Sequence, residues 1–278
     1  MVGFVVLHFN NINSTIKCVD SIISNTLNEL VHVVIVDNAS PDGSGIELLN
    51  KYLNNNRISV ILNSENYGFS RGNNIGCTYL KTRFNPEFIC VFNNDTYIND
   101  NNFINKIKQS YIKTKFHALG PKIWNTRRFY NQNPYKVISN IDEIDNIINE
   151  VEKKLYLLKF NLPLLFYMYS NFFQKKTKLF SDGLYGAAII FSKKYFELFE
   201  KTFPEITFMY GEENFLFYRK IKYNLIFEYD FNITVYHNHS NSTRKISRFI
   251  IDKWKFQYKE ILKALLNLKN IYCNSLDF

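Results

Sequence analysis

Hydrophobic positions in the first hundred residues fall into short unbroken runs separated by stretches of helical period. Val2–Phe9, Val31–Val36, Ile58–Leu62 and Phe88–Phe92 are apolar on both faces, as strands buried inside a parallel sheet must be. Between them, a stretch opened by Ser14 places Ile16, Val19, Ile22 and Ile23 on one face, and Ile46–Leu53 and Gly72–Leu80 also have the helical period. Strands and helices in alternation predict parallel strands joined by right-handed crossovers, a Rossmann-like α/β half. Polar clusters follow the strands at Asp37-Asn38-Ala39-Ser40 and at Asn93-Asn94-Asp95. That is the sheet edge where open α/β folds bind ligands. One such cluster reads as a turn; several at one edge read as a site.

Beyond residue 100 the pattern thins. Residues 125 to 180 run charged, then aromatic, then Lys-rich, without a clear period. Regular signals return at Gly183–Phe191 and Leu225–His237, with a helix-like stretch from Glu212 to Lys222 between them. The last thirty residues read as an amphipathic helix carrying Ile250, Trp254, Tyr258, Ile261, Leu265 and Leu268. The opening Val2–His8 run lacks a basic leader and reads as a buried strand instead of a signal peptide. Leu155–Phe173 is broken by Lys159, Asn161 and Pro163 and does not read as a membrane span.

Composition narrows the class. The 278 residues are 46% hydrophobic and 17% aromatic, enough for a large core and incompatible with a disordered chain. Thirty-seven Asn beside abundant Lys and Ile suggest an AT-rich coding bias, which lowers the weight of any single Asn or Lys. The four cysteines form neither a CxxC nor a metal-ligand spacing, so a reducing cytoplasm is expected. Net charge is +9, and it is concentrated: six Lys and no acid from Lys153 to Ser181, then eight basic against three acidic residues from Arg244 onward. Those stretches are also rich in aromatic and aliphatic residues, which fits either a solvated Lys face or contact with an anionic membrane surface. No zinc finger, RRM-like motif or basic recognition helix accompanies the charge, so nucleic acid is not expected as a partner.

Neither G-x-G-x-x-G after the first strand nor a G-x-x-x-x-G-K-[ST] loop is present, which argues against dehydrogenases and P-loop enzymes. Another series is. Val6-Leu7-His8-Phe9-Asn10, Val36-Asp37-Asn38-Ala39-Ser40, Asn66-Tyr67-Gly68-Phe69-Ser70-Arg71-Gly72-Asn73-Asn74 and Asn93-Asn94-Asp95 follow one another. Gly186-Ala187-Ala188-Ile189-Ile190, Tyr210-Gly211-Glu212-Glu213-Asn214 and His237-Asn238-His239-Ser240-Asn241-Ser242-Thr243 complete it. In order and spacing the series resembles glycosyltransferase family 2, over residues 2 to about 245.

The resemblance implies an inverting enzyme of the GT-A fold: a mainly parallel mixed sheet flanked by helices, with a C-terminal helical extension. It implies a divalent metal, Mn2+ or Mg2+, on the diphosphate of a UDP- or dTDP-sugar. Phe9, Asn10, Asp37, Asn66, Gly68, Arg71, Asn74, Asn93, Asn94, Asp95 and Ser242 would meet the donor, Asp37 by accepting a pyrimidine imide N–H. Asp37 also suits an Asx-turn, and Gly72 and Asn74 suit turn and helix-start geometry. The family's D-x-D stands here as Asn93-Asn94-Asp95, leaving Asp95 as the direct metal ligand, with His237 as second ligand and His239 as its alternative. Glu213 aligns with the general base and Glu212 would hold acceptor hydroxyls or orient it, although adjacent acids also suit any helix start. Trp124 and Gly186 are candidates for the acceptor pocket, Trp124 equally for the core.

The expected organisation is a GT-A domain over 1–245, with a nucleotide half to about 120 and an acceptor half from about 121, then an amphipathic segment over 246–278. The expected activity is sugar transfer to a glycan or lipid-linked acceptor in surface polysaccharide (capsule or lipopolysaccharide) assembly. The expected location is the cytoplasm, with peripheral contact at the anionic inner face of the plasma membrane. The alternative is a non-catalytic sugar-nucleotide-binding partner of a larger assembly.

Overall fold

In a computed structural model of the chain, residues 1–160, 165–166, 180–238 and 250–274 are described. The N-terminal half builds β1 (Val2–His8), α1 (Ile12–Ser24), β2 (Val31–Asp37), α2 (Ser44–Tyr52), β3 (Ile58–Leu62), α3 (Gly68–Phe84) and β4 (Phe88–Asn93). Its strands are parallel, in the order β3-β2-β1-β4. Every residue of β2 is buried because the pleat sends alternate side chains into two different cores. Val33 and Ile35 join Phe4, Val6 and Phe92 on one face, while Val34 and Val36 join Val5, Cys77 and Leu80 on the other. Burial on both faces of β1, β2 and β4 is why they lack alternation in sequence, while β3 at the sheet edge is only partly covered.

The second half comprises β5 (Thr96–Tyr97), α4 (Phe103–Thr114), β6 (Ala118–Asn125), β7 (Tyr130–Asn131), β8 (Tyr135–Val137), α5 (Ile141–Lys159), β9 (Phe180–Gly183), β10 (Ala188–Ser192), α6 (Lys193–Leu198), α7 (Glu212–Lys222), β11 (Phe227–His237) and α8 (Ile250–Asn274). The full sheet runs β3-β2-β1-β4-β10-β6-β11-β5, with β7 on β6 and a separate β8–β9 pair. Strand β10 is antiparallel to both β4 and β6, so residues 188–192 sit between them in the sheet.

Three expectations change in detail. Helix α3 starts at Gly68, four residues before the predicted Gly72, because Asn66 Oδ1 accepts the Gly68 N–H at 2.9 Å and secures the first turn. The Gly183–Phe191 run is two strands, β9 and β10, in different sheets. The unpatterned middle holds the nineteen-residue α5, capped by Asn140, whose side chain accepts the Glu143 N–H. Ile144, Ile148, Val151 and Leu158 form its buried stripe.

Helix α8 packs against the fold. Ala264, Leu265, Leu268 and Ile271 share a third core with Ile144 and Ile148 of α5 and with Phe215 and Tyr218 of α7. Among the described residues no helix is long and apolar enough to cross a membrane. Most of the Lys-rich stretch, and the segment with His239, Ser242, Arg244 and Lys245, lie outside the described residues.

Candidate active site

The ends of β1, β2 and β4 carry one polar edge. The Asp37 carboxylate accepts Ser40 N at 3.2 Å and Ser40 Oγ at 2.5 Å, the Asx-turn geometry. Ser40 Oγ in turn accepts Asn10 N at 2.8 Å, and Asn10 Oδ1 is buried without a partner. A buried unmet acceptor costs stability, and its place at this edge suits a ligand donor. Phe9 is half-buried beside it. His8 lies behind, touching Thr15 at 2.6 Å and Ser44 at 2.8 Å. Burial, outweighing the Asp37 charge, holds its imidazole below the ordinary histidine pKa. Asn94 donates to the same Thr15 at 3.0 Å, so its amide ties β4 to α1.

The loop after β3 is organised by side chains that serve each other. Asn38 donates to Asn66 Oδ1 and to Gly68 O, and accepts from Asn63 and from Tyr67 N. Asn74 spends both ends of its amide on Phe203, donating to its carbonyl and accepting its N–H, each at 2.8 Å. Asn74 therefore clamps residues 203–205 to α3. Arg71 is exposed, 4.0 Å from Glu205 and 4.7 Å from the Tyr67 ring. Gly68 (φ +77°) abuts Phe208 O, so its role is close packing in a left-handed turn.

Asp95 and His237 meet where β4 ends against the last residue of β11. His237 Nε2 is 3.1 Å from Asp95 Oδ1, and His237 Nδ1 is 2.8 Å from Gln132 Oε1. The Asn238 N–H donates to Asp95 O, and Asn93 N to Ala187 O, both at 2.9 Å, which fixes the corner. Among the described residues no three His, Cys, Asp or Glu side chains gather to hold a metal. A carboxylate and an imidazole are a donor set that Mn2+ accepts. Two protein ligands also suffice for cations that take their remaining ligands from substrate phosphates and water.

Glu212 and Glu213 open α7 after a left-handed pair, Tyr210 (φ 70°) and Gly211 (φ 89°). The turn carries both carboxylates inward at the helix N-terminus, whose dipole favours them. Glu213 Oε1 accepts the Gly186 N–H at 3.2 Å; a Cβ on Gly186 would lie 3.0 Å from that oxygen. Glu212 is 7% exposed and its Oε1 has no partner. Burial, and then the charge of Glu213, raise the Glu212 carboxyl above the ordinary range; burial raises that of Glu213 too. Tyr135 and Tyr185 stack beside them, ring centroids 5.1 Å apart. Glu213 and burial raise the Tyr135 pKa; burial, Glu213 and Asp95 raise that of Tyr185.

A cavity of about 400 Å3 opens onto this group, walled by Tyr135, Tyr185, Tyr210, Glu212 and Glu213 on one side and by Ile261, Ala264 and Leu265 of α8 on the other. The structure thus gathers Asp37, Asn10 and Asn94 at one edge, Asp95 with His237, and Glu213 with Gly186. It does not bring Trp124 to the cavity: that residue lies within β6, with Lys122 Nζ over its ring at 5.0 Å. Ser242 lies outside the described residues. Sequence reasoning missed Gln132, Tyr135 and Tyr185. The Asn131-Gln132-Asn133-Pro134 turn signal was the available hint to the first two.

The chain thus carries a mainly parallel α/β sheet with an acid–imidazole pair at its strand ends and two adjacent carboxylates at a cavity. The sequence matches the profile of glycosyl transferase family 2 over residues 4–221, and the chain belongs to that family; it is a glycosyltransferase. A comparison with the curated proteins finds no match. Among solved structures, S. aureus TarS (residues 1–349) in complex with UDP is 17% identical over 96% of this chain and 70% of that one, with a TM-score of 0.54. GalNAc-T7 with UDP, GalNAc and Mn2+ is 13% identical over 86% of this chain and 44% of that one, TM-score 0.59, so this chain spans under half of that protein. The mannosyltransferase PcManGT from Pyrobaculum calidifontis with GDP-Man and Mn2+ is 11% identical over 100% of this chain and 76% of that one, TM-score 0.53. Likeness at these identities establishes the GT-A fold.

Proposed function

We propose that the chain transfers a sugar, with inversion, from a UDP- or dTDP-sugar to a hydroxyl of a glycan or lipid-linked acceptor in surface polysaccharide assembly. The observation that carries this is Glu213: a half-buried carboxylate that accepts the Gly186 N–H and lines a cavity whose Tyr185 wall stands 6.0 Å, ring to ring, from His237. A single in-line displacement needs a base on the acceptor side and charge compensation on the leaving diphosphate. Glu213 takes the acceptor proton, its raised pKa matching it to the task. Glu212 holds an acceptor hydroxyl with its unmet oxygen, and Asp37 accepts the imide N–H of the base. Asp95 and His237 would hold a divalent cation, Mn2+ or Mg2+, which supplies Lewis-acid stabilisation of the diphosphate. The bound UDP and Mn2+ of the fold neighbours support the donor class and the cation.

The test is a thermal-shift panel of UDP, dTDP, GDP and CMP with and without Mn2+, followed by UDP release from UDP-sugars with water standing in as the acceptor. Metal-dependent stabilisation by UDP or dTDP is expected. Glu213→Gln should keep that shift and lose about 10²–10⁴-fold in turnover. Stabilisation by GDP alone would overturn the pyrimidine donor, and full turnover in Glu213→Gln would overturn the base.

A further inference from the structure

Only the unprotonated nitrogen of an imidazole can bind a cation, so a histidine ligand needs its tautomer set. The His237 side chain is 4% exposed and that of Asp95 11%, so neighbouring protein groups decide it. Nδ1 faces Gln132 Oε1 at 2.8 Å and Nε2 faces Asp95 Oδ1 at 3.1 Å. Tyr185 stands beside the same imidazole, ring centroids 6.0 Å apart. An amide has one acceptor end and one donor end. The end turned to His237 is the oxygen, and an oxygen can only accept. Nδ1 then carries the proton, and Nε2 turns a lone pair toward a carboxylate that is itself an acceptor.

Two acceptors at 3.1 Å repel unless a cation or a proton lies between them. The backbone holds the amide in place. Gln132 N donates to Ile123 O at 2.9 Å; Asn131 Oδ1 accepts Ile123 N at 3.0 Å and Asn133 N at 3.2 Å; Asn133 Oδ1 accepts Tyr185 N at 2.9 Å. The turn after β7 is thereby tied to β6 on one side and to Tyr185 on the other.

We propose that Gln132 is a positioning residue that fixes the Nδ1–H tautomer of His237 and so presents Nε2, with Asp95, to a divalent cation. The proposal rests on the reading of Asp95 and His237 as the cation pair. Turning the amide over reverses the arrangement: its N–H meets Nδ1, and the Nε2–H donates to Asp95. In that state the pair is closed on itself. An outer partner of this kind is worth about 10–100-fold in metal affinity.

The experiment measures Mn2+ binding by electron paramagnetic resonance, with UDP present, for the full chain and its variants, and reads the His237 tautomer by long-range 1H–15N NMR in the diamagnetic Mg2+–UDP state. Gln132→Met, close in size but without donor or acceptor ends, should weaken Mn2+ about 10–100-fold and mix the tautomers. Gln132→Glu, an acceptor only, should restore both. Wild-type affinity in Gln132→Met, or a wild-type His237 protonated at Nε2 in the Mg2+–UDP state, would overturn the proposal. Asp95→Asn and His237→Ala separate the two failures. If they abolish Mn2+ binding while Gln132→Met does not, the role of Gln132 alone falls. If they leave binding unchanged, the cation pair falls and this proposal with it. The NMR measurement on the unmutated chain stands even if a variant fails to fold.

Discussion

Glu212 is the residue whose placement is hardest to explain by folding alone. A carboxylate oxygen that is buried and unmet opposes the folded state, and such groups persist where function holds them. The sign of the effect follows from its raised pKa. The folded state prefers the protonated acid, so the penalty is absent below the ordinary carboxyl value of 4.5 and grows as pH rises toward about 8. Glu212→Gln is therefore expected to raise the melting temperature at pH 8 and to leave it nearly unchanged at pH 4, as calorimetry at the two pH values would show. An equal rise at both would place the strain in shape instead of charge. The same residues show what sequence can carry. Glu212, Glu213, Asp95 and His237 stand in recognisable strings at element ends. Gln132 and Tyr185 do not, because their meaning comes from two chain segments about fifty residues apart meeting at His237.

At the scale of elements, α8 is at once a core helix and a cavity wall. Leu268 is 1% exposed, packs with Phe215 and Tyr218, and also lines the cavity before Glu213. Leu268→Ala should cost about 2–5 kcal/mol by urea unfolding, and it should raise KM for the acceptor more than for the donor. A KM change confined to the donor would show that the cavity is not the acceptor's. The period of α8 was legible because its apolar residues recur at helical spacing between Lys, Asn, Gln and two acids, Asp252 and Glu260. Helix α5 was not, although Ile144, Ile148, Val151 and Leu158 keep the spacing. Acids and Lys crowd its start and end, and its buried face makes sense only once α8 lies against it. Strands β1, β2 and β4 were legible for the opposite reason, since burial on both faces leaves few polar residues to blur them.

For the whole molecule, charge and sheet order matter most. The net charge of +9 and the exposed Tyr156 and Phe160, beside Lys153 and Lys159 near the end of α5, give an aromatic–basic surface suited to an anionic bilayer. Sedimentation with phosphatidylglycerol vesicles should capture the protein, and release should follow as salt rises. Capture by phosphatidylcholine alone, or salt-insensitive capture, would refute an electrostatic contact. The mixed sheet was legible as parallel in its first four strands and opaque beyond them, because β10 enters between β4 and β6 from far along the chain. Insertion so late has a cost in time. During synthesis β1 to β4 can pair as soon as residue 93 emerges, yet the flank of β4 waits about ninety residues for its partner. At about 5–20 residues per second that is roughly 5–20 s on the ribosome with an apolar, unpaired strand edge. Nascent chains stalled between residues 93 and 188 are where this enzyme most needs a chaperone.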